Sequence, residues 1–285
     1  MSVELEHLTY TYMPGTPFES KAVDDISLKL DDGEFVGVIG HTGSGKTTLI
    51  SLIAGLLKPT SGRVLMDGQD INVRGFDRKA LRRHIGVVFQ YPEYQLFEET
   101  VIKDISYGPR RTGVSEEEID ERVHHAMELM EIDYEGIGNL SPFELSGGQK
   151  RRVAIAGVLA SRPKMLILDE PVAGLDPQGR DHLMRLITRL NAEGATILMI
   201  THSMDDLAEH ARRVLVLGGA KLLMDDSPAA VFSREAELKN IGLDLPAVAR
   251  MASVLRAHGK AVPQEVIRLT DLEKFVISMT GAAHD

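Results

Sequence analysis

The sequence predicts an α/β fold: a parallel sheet covered by helices, with a mostly helical insertion and a small, mostly helical carboxyl-terminal domain. Three observations predict it. Short continuous apolar runs at Val36-Gly37-Val38-Ile39-Gly40, Met165-Leu166-Ile167-Leu168 and Thr196-Ile197-Leu198-Met199-Ile200 have the length of strands buried on both faces. Helical periodicity fills stretches between them, and strand, helix, strand implies parallel pairing. A glycine-rich turn joins the first run to a helix expected over Lys46 to Leu57, which Lys58-Pro59 stops.

The helix between the second and third runs has the clearest ends. Asp176-Pro177 supplies an N-cap and a proline at the first helical position, Leu183, Leu186, Ile187 and Leu190 make the buried stripe, and Gly194 ends it. From about Pro92 to Ser146 the pattern changes. Ser115 and Glu118 stand at capping-box spacing ahead of a stripe through Ile119, Val123, Met127 and Met130. A helical insertion is therefore expected, over about 92–160 once the helix after Ser146 is included. Val214-Leu215-Val216-Leu217 and Leu222-Leu223-Met224 flank Gly218-Gly219 and read as a hairpin.

The tail reads as helical. Ser227-Pro228 starts one helix, and Pro246 opens a second with Val248, Met251 and Leu255 on one face. Thr270 and Glu273 cap a third carrying Leu272, Phe275, Val276 and Met279. These stripes fit either an intramolecular core or a partner surface, and the sequence leaves both open.

A chain of 285 residues suffices for one large α/β domain plus a small appendage. Its 43% hydrophobic and 26% charged residues are ordinary for a soluble globular protein. A formal net charge of -10 repels nucleic-acid phosphates, so no nucleic-acid partner is expected. The local clusters Arg82-Arg83-His84 and Lys150-Arg151-Arg152 read as solvated helix faces. The absence of cysteine excludes disulfides, thiolate metal sites and thiol catalysis. The opening residues MSVELEHLTYTY have no apolar core segment and do not read as a secretory signal. No run approaches the roughly 18 apolar residues that span a bilayer, so membrane association is expected through a partner.

The chemistry is concentrated in short motifs. Gly40-His41-Thr42-Gly43-Ser44-Gly45-Lys46-Thr47, followed by Thr48, fits the phosphate-binding loop pattern and sits after a strand and before a helix, as that pattern requires. Glycines let successive N–H groups turn toward phosphate oxygens, and the helix amino terminus adds a positive dipole end. Lys46 would hold the β- and γ-phosphates and the Thr47 hydroxyl would ligate Mg2+. Such a loop is shared by kinases, GTPases, motors and transporters, so it does not choose a reaction. Asp169-Glu170 ends the second buried run with adjacent carboxylates, which an apolar strand tolerates only at its rim and for a cation or a task. Asp169 is placed to organise the Mg2+ shell and Glu170 to orient or deprotonate an attacking water. Ser146-Gly147-Gly148-Gln149 opens an apolar-periodic helix through Val153, Ile155 and Leu159, with Ser146 and Gln149 at capping-box spacing: a second anion-ready helix end.

The order of these motifs resembles the ATP-binding-cassette (ABC) family: phosphate loop, glutamine loop, LSGGQ signature, acidic strand, D-loop and switch histidine, over residues 1 to about 225. The resemblance implies a P-loop NTPase core with a helical ABC subdomain, a nucleotide-binding domain over 1–226 and a carboxyl-terminal helical domain over 227–285. It implies ATP and Mg2+ as ligands. The signature residues Ser146, Gly147, Gly148 and Gln149 of one subunit would close on the ATP held by the loop of another, in a head-to-tail dimer. Gln90 would be the glutamine-loop residue linking the Mg2+ shell to the insertion and a membrane partner. Asp176 would be the D-loop aspartate as well as a cap, and His202 the switch histidine at the γ-phosphate. Tyr12 resembles the residue that stacks on adenine, with Tyr10 and Phe18 as competitors.

Two extended strings resemble a narrower branch. Phe89-Gln90-Tyr91-Pro92-Glu93-Tyr94-Gln95-Leu96-Phe97 and Lys150-Arg151-Arg152-Val153-Ala154-Ile155-Ala156-Gly157 look like the ATPases of energy-coupling factor transporters, which import vitamins and transition-metal ions. Gly157 stands where most cassettes carry arginine. The tail of about sixty residues also suits that branch, in which a small helical domain helps the ATPases dimerise. The partners then implied are a second ABC ATPase, paralogous or identical, a transmembrane scaffold and a substrate-binding membrane protein. The chain would sit peripherally on the cytoplasmic face of the cell membrane. The alternatives are the ATPase of a conventional ABC importer or exporter, a soluble cassette acting on nucleic acid, and a phosphate-loop kinase.

Overall fold

The structure, a computed structural model, describes residues 1–280. Strands β1 (Val3–Tyr12) and β2 (Ser20–Leu30) pair antiparallel, β1 burying Val3, Leu5 and Leu8 and β2 burying Val23 and then, after a shift, alternate residues from Ile26, and β3 (Phe35–Ile39) follows with every residue buried. After α1 (Lys46–Ile53), β4 (Ser61–Met66) returns beside β1 and β5 (Gln69–Asp70) beside β4, giving a sheet of order β2-β1-β4-β5. Sequence reading does not identify this antiparallel sheet. Its alternation is broken by register shifts between Leu5 and Tyr10. The helix α1 stops at Ile53 instead of running to Leu57: Gly55 takes a positive φ of 67°, and Leu56 and Leu57 both fold their N–H groups back onto the Ser51 carbonyl.

The short helix α2 (Arg78–His84) leads into β6 (Ile85–Val88), with Arg82 and Arg83 exposed as expected. The insertion is helical: α3 (Val101–Thr112), α4 (Glu116–Leu129), α5 (Tyr134–Ile137) and α6 (Gly147–Leu159). Ser115 caps α4, but only half of the expected box forms, because the Glu118 carboxylate is taken by Arg122 at 2.6–2.9 Å. The run Lys150-Arg151-Arg152 is not a solvated face. Arg151 turns inward and is 5% exposed, because buried backbone carbonyls across from α6 need a donor.

Next come β7 (Met165–Asp169), α7 (Pro177–Ala192), β8 (Thr196–Ile200), α8 (Met204–His210) and the hairpin of β9 (Arg213–Gly218) with β10 (Lys221–Asp226). The strands form a sheet of order β10-β9-β3-β8-β7-β6, parallel except for β10. Period-two geometry splits each central strand between two cores. Leu166 and Leu168 face the insertion and α7, while Met165 and Ile167 face α1 and the antiparallel sheet.

The remaining helices are α9 (Pro228–Phe232), α10 (Glu235–Asn240), α11 (Ala247–Ala257) and α12 (Leu269–Thr280). Val231, Phe232, Leu238 and Leu245 join the main core, whereas Ala252, Val262, Val266 and Leu272 make a small cluster of their own. The expected stripes are divided. Val248, Leu255 and Phe275 pack on that cluster, but Met251, Val276 and Met279 are exposed. Thr270 does not cap α12: the helix already includes Leu269, and the Arg268 carbonyl takes the Leu272 N–H.

Candidate nucleotide site

The phosphate-loop residues sit at the carboxyl edge of β3, where the chain must turn tightly into α1. Gly45 occupies the N-cap with φ 102° and no side-chain cap, and a Cβ there would lie 2.0 Å from the Ala22 carbonyl oxygen. The first N–H groups of α1 thus lack intrahelical partners and point outward, an anion-ready end. Lys46 is largely buried, and its ammonium donates to the Gly40 and His41 carbonyls at 2.6 and 3.0 Å. Burial pulls its pKa down, against the opposing pull of Glu170 and Asp169. The Ser44 hydroxyl is buried without a hydrogen-bond partner.

The acidic residues arrive from β7. Asp169 Oδ2 accepts the Thr47 hydroxyl at 3.0 Å, tying the loop to the strand. Burial raises the Asp169 pKa, offset in part by that hydrogen bond and by Lys46. Glu170 has a 13% exposed side chain, and burial also raises its pKa, against the attraction of His202. Its Oε1 has no hydrogen-bond partner and lies 3.5 Å from His202 Nε2. Its backbone is left-handed, φ 51°, which costs roughly 1–2 kcal/mol for a residue with a side chain. Strain of this kind persists only where surrounding bonds impose it.

These groups share one cleft of about 660 Å³. Tyr12, Thr42, Gly43, Gly45, Lys46, Thr47, Thr48, Gln90, Asp169, Glu170 and His202 line it. Gly40, His41 and Ser44 complete the loop without facing the cleft. Tyr12 reaches it through its hydroxyl, 3.2 Å from Thr48 Oγ1, with Tyr10 packed edge-on behind it. Tyr10 and Phe18 do not line the cleft. Ala173, the first residue of the string Ala173-Gly174-Leu175-Asp176 that resembles the D-loop, also lines it, and so does Lys21, unforeseen from sequence: Lys21 belongs to no motif and is delivered by β2 packing beside the loop. The donor set of Thr47 hydroxyl, Asp169 carboxylate and Gln90 amide is all oxygen and fits Mg2+, which takes few protein ligands and keeps the rest for phosphate and water. The buried Asp169 carboxylate and the neighbouring Glu170, 13% exposed and with an unpartnered oxygen, also suit a cation.

Ser146, Gly147, Gly148, Gln149 and Asp176 stand apart. Ser146 and Gln149 form the complete capping box of α6, the Gln149 side-chain Oε1 accepting from Ser146 N–H at 3.0 Å. Gly147 and Gly148 are exposed, with open space where a Cβ would be. Asp176 Oδ1 caps α7 by accepting the Gly179 N–H at 2.7 Å. Gly148 and Asp176 line a separate hollow with Arg152 and Arg185. One chain therefore presents two anion-ready helix ends that do not meet.

Comparison with known proteins identifies the family. Residues 23–173 match the ABC transporter family. The chain is 48% identical to the energy-coupling factor transporter ATP-binding protein EcfA2 of Clostridium tetani, over 98% of this chain and 97% of that protein. It is 49% identical to the EcfA2 protein of Clostridium perfringens, over 98% of both. Among solved structures it resembles cbiO1 of Clostridium perfringens, described as part of the ABC transporter complex cbiONQ, with TM-score 0.71 and 36% identity over 89% of this chain and 98% of that one. A dimeric ATP-binding cassette in a post-hydrolysis state with ADP and phosphate aligns with TM-score 0.71 and 30% identity, over 79% of this chain and 98% of that one. No helix among the described residues is long and apolar enough to cross a membrane. The chain belongs to the ABC transporter family, among the ATP-binding proteins of energy-coupling factor transporters.

Proposed function

We infer that this chain binds ATP with Mg2+ in the Lys46 cleft and hydrolyses it, powering an energy-coupling factor transporter that takes up vitamins or transition-metal ions. The observation that carries the reading is the convergence of the Lys46 loop, the Thr47–Asp169 bond and the buried Glu170 on one cleft, while the Ser146 helix end lies elsewhere on the same chain. Lys46 and the α1 N–H groups hold the β- and γ-phosphates, and Tyr12 stacks on adenine. Thr47, Asp169 and Gln90 hold Mg2+, which when bound neutralises phosphate charge. Glu170 orients a water and accepts its proton as the water oxygen attacks the γ-phosphorus, and ADP leaves with the electron pair of the broken P–O bond. His202 steadies the γ-phosphate. Ser146, Gly147, Gly148 and Gln149 of a second ATPase, paralogous or identical, close over that phosphate with the help of the Asp176 turn.

The assembly adds a transmembrane scaffold and a substrate-binding membrane protein, with this chain peripheral on the cytoplasmic face. Relatives named as transporter ATP-binding proteins, and a structural neighbour described as part of the ABC transporter complex cbiONQ, support this arrangement. The Ser146→Arg protein tests the shared site. It should bind ATP with near-normal affinity as a monomer and lose turnover; normal hydrolysis without any wild-type partner would favour a kinase-like, single-chain site. Proteins copurifying after gentle solubilisation separate the energy-coupling factor reading from a conventional importer or exporter.

A further inference from the structure

The inward-turned Arg151 is unused by the chemistry above, yet it touches the left-handed turn at Glu170. Its Nη2 donates to the Pro171 carbonyl at 2.8 Å and to the Glu170 carbonyl at 3.3 Å. Its Nη1 lies 3.9 Å from Glu93 Oε2, in the segment just after Gln90. Arg151 Nε and Glu93 Oε2 are both buried without a hydrogen-bond partner. One guanidinium thus connects the signature helix α6, the turn after β7 and the glutamine loop.

That turn requires a clamp. Glu170 holds a left-handed backbone, φ 51°, and its N–H is anchored to the Ile200 carbonyl at 3.0 Å. On the other side, its carbonyl accepts from Ala173 N–H at 3.2 Å and from Arg151. Burying a guanidinium is costly unless its donors are used, and this one is placed on two successive carbonyls with a carboxylate nearby. Both bonds leave one nitrogen, Nη2, whose N–H groups are fixed in the rigid guanidinium plane; a lysine ammonium, a point charge on a flexible stem, does not hold both carbonyls in a fixed relation.

We propose that Arg151 is the positioning residue for Glu170: it fixes the left-handed turn that aims the carboxylate into the cleft, and Glu93 holds the guanidinium in place from the glutamine loop. The inference rests on the reading of Glu170 as the residue that orients and deprotonates the water. Its consequence is directional. Displacement of the glutamine loop loosens Arg151, and Glu170 loses its aim while the Lys46 loop keeps its nucleotide.

The test uses the full-length chain and its Arg151→Lys, Glu93→Gln, Glu170→Gln and Glu170→Gln/Arg151→Lys variants. Phosphate release is measured against ATP concentration with Mg2+, alongside nucleotide affinity and Tm. Arg151→Lys should lower kcat on the order of 10- to 100-fold, the scale of a small misplacement, with KM within about threefold of wild type. Glu93→Gln should lower kcat less, at unchanged KM. The double variant should turn over no more slowly than Glu170→Gln, because both changes disable one group. A kcat within about twofold of wild type in Arg151→Lys, or losses that multiply in the double variant, overturns the proposal. If Arg151→Lys unfolds, Glu93→Gln decides: lowered kcat at wild-type KM and Tm supports the clamp, and wild-type kcat overturns it. A Glu170→Gln protein that hydrolyses at the wild-type rate sinks the assignment of Glu170 itself, whereas a silent Arg151→Lys beside an inactive Glu170→Gln sinks only the clamp.

Discussion

Glu170→Gln should abolish turnover and stabilise the fold, and both effects follow from the same burial. The carboxylate is 13% exposed, its Oε1 has no hydrogen-bond partner, and Asp169 lies beside it in sequence and in the cleft. Removing a general base typically costs about 10²- to 10⁴-fold, or roughly 2.7–5.4 kcal/mol of barrier. The swap is nearly isosteric and leaves Lys46, Thr47 and Tyr12 untouched, so nucleotide affinity should stay within about threefold, roughly 0.7 kcal/mol.

The stability effect has a definite sign. Burial raises the Glu170 pKa above its ordinary value, so the folded state holds a proton more tightly than the unfolded chain. The stabilisation this gives is complete below the unfolded value and is lost as pH rises through the folded value. Above the folded-state value wild type carries a largely buried charge that Glu170→Gln lacks. The variant should therefore melt higher there, by about 2–4 °C for each roughly 1 kcal/mol relieved, with the gap closing as pH falls through the carboxylate range. Scanning fluorimetry across pH, paired with phosphate-release and nucleotide-binding assays, measures all three quantities. Hydrolysis within about threefold of wild type would refute the assignment of Glu170 as general base, and a Tm gap that widens on acidification would refute the electrostatic argument.

Other substitutions separate roles that coincide in one residue. Tyr12→Ala should raise KM for ATP on the order of tenfold with kcat nearly unchanged, as loss of ring stacking implies, while Phe18→Ala should change neither. Asp176→Asn keeps an N-cap and should retain Tm, whereas Asp176→Ala should lose about 1 kcal/mol by thermal unfolding; a turnover defect shared by both marks a role beyond capping. Gly45→Ala should destabilise the phosphate loop and abolish nucleotide binding, since its Cβ would sit 2.0 Å from the Ala22 oxygen at φ 102°. Equilibrium nucleotide titration and Tm report that outcome together.

The parts of the site legible in sequence are those made by contiguous residues. A loop that binds through backbone N–H groups must carry its glycines and Lys46 in one string, and Asp169-Glu170 is visible because charge at the end of an apolar run is anomalous. Lys21 and Arg151 were not legible. Lys21 matters only because β2 lies beside the loop, and Arg151 sits in a basic triplet whose neighbours differ in burial for tertiary reasons. The first sheet was hidden for a related cause: β1 is only half buried, and its register shifts interrupt the alternation that would announce it. In the tail, periodicity located helices but could not say which of Val248 and Met251 would find a neighbour.

The separation of the two anion-ready helix ends leads to a test of pairing. If a site is formed by the Lys46 loop of one chain and the Ser146 end of another, then Lys46→Ala and Ser146→Arg destroy different halves. Each variant alone has no intact site. A mixed pair joins the intact loop of the Ser146→Arg chain to the intact signature of the Lys46→Ala chain, restoring one site of two. Random pairing of identical chains makes half the dimers mixed, so equimolar mixing should recover about a quarter of wild-type phosphate release. Exposed Ser146, Gly147 and Gly148 leave room for such a contact without repacking either chain. Recovery that grows with total protein concentration marks a site shared between chains, because only an intermolecular site is diluted away. Two inactive variants that remain inactive together at every concentration would refute a shared site between identical chains and direct the search to a paralogous partner.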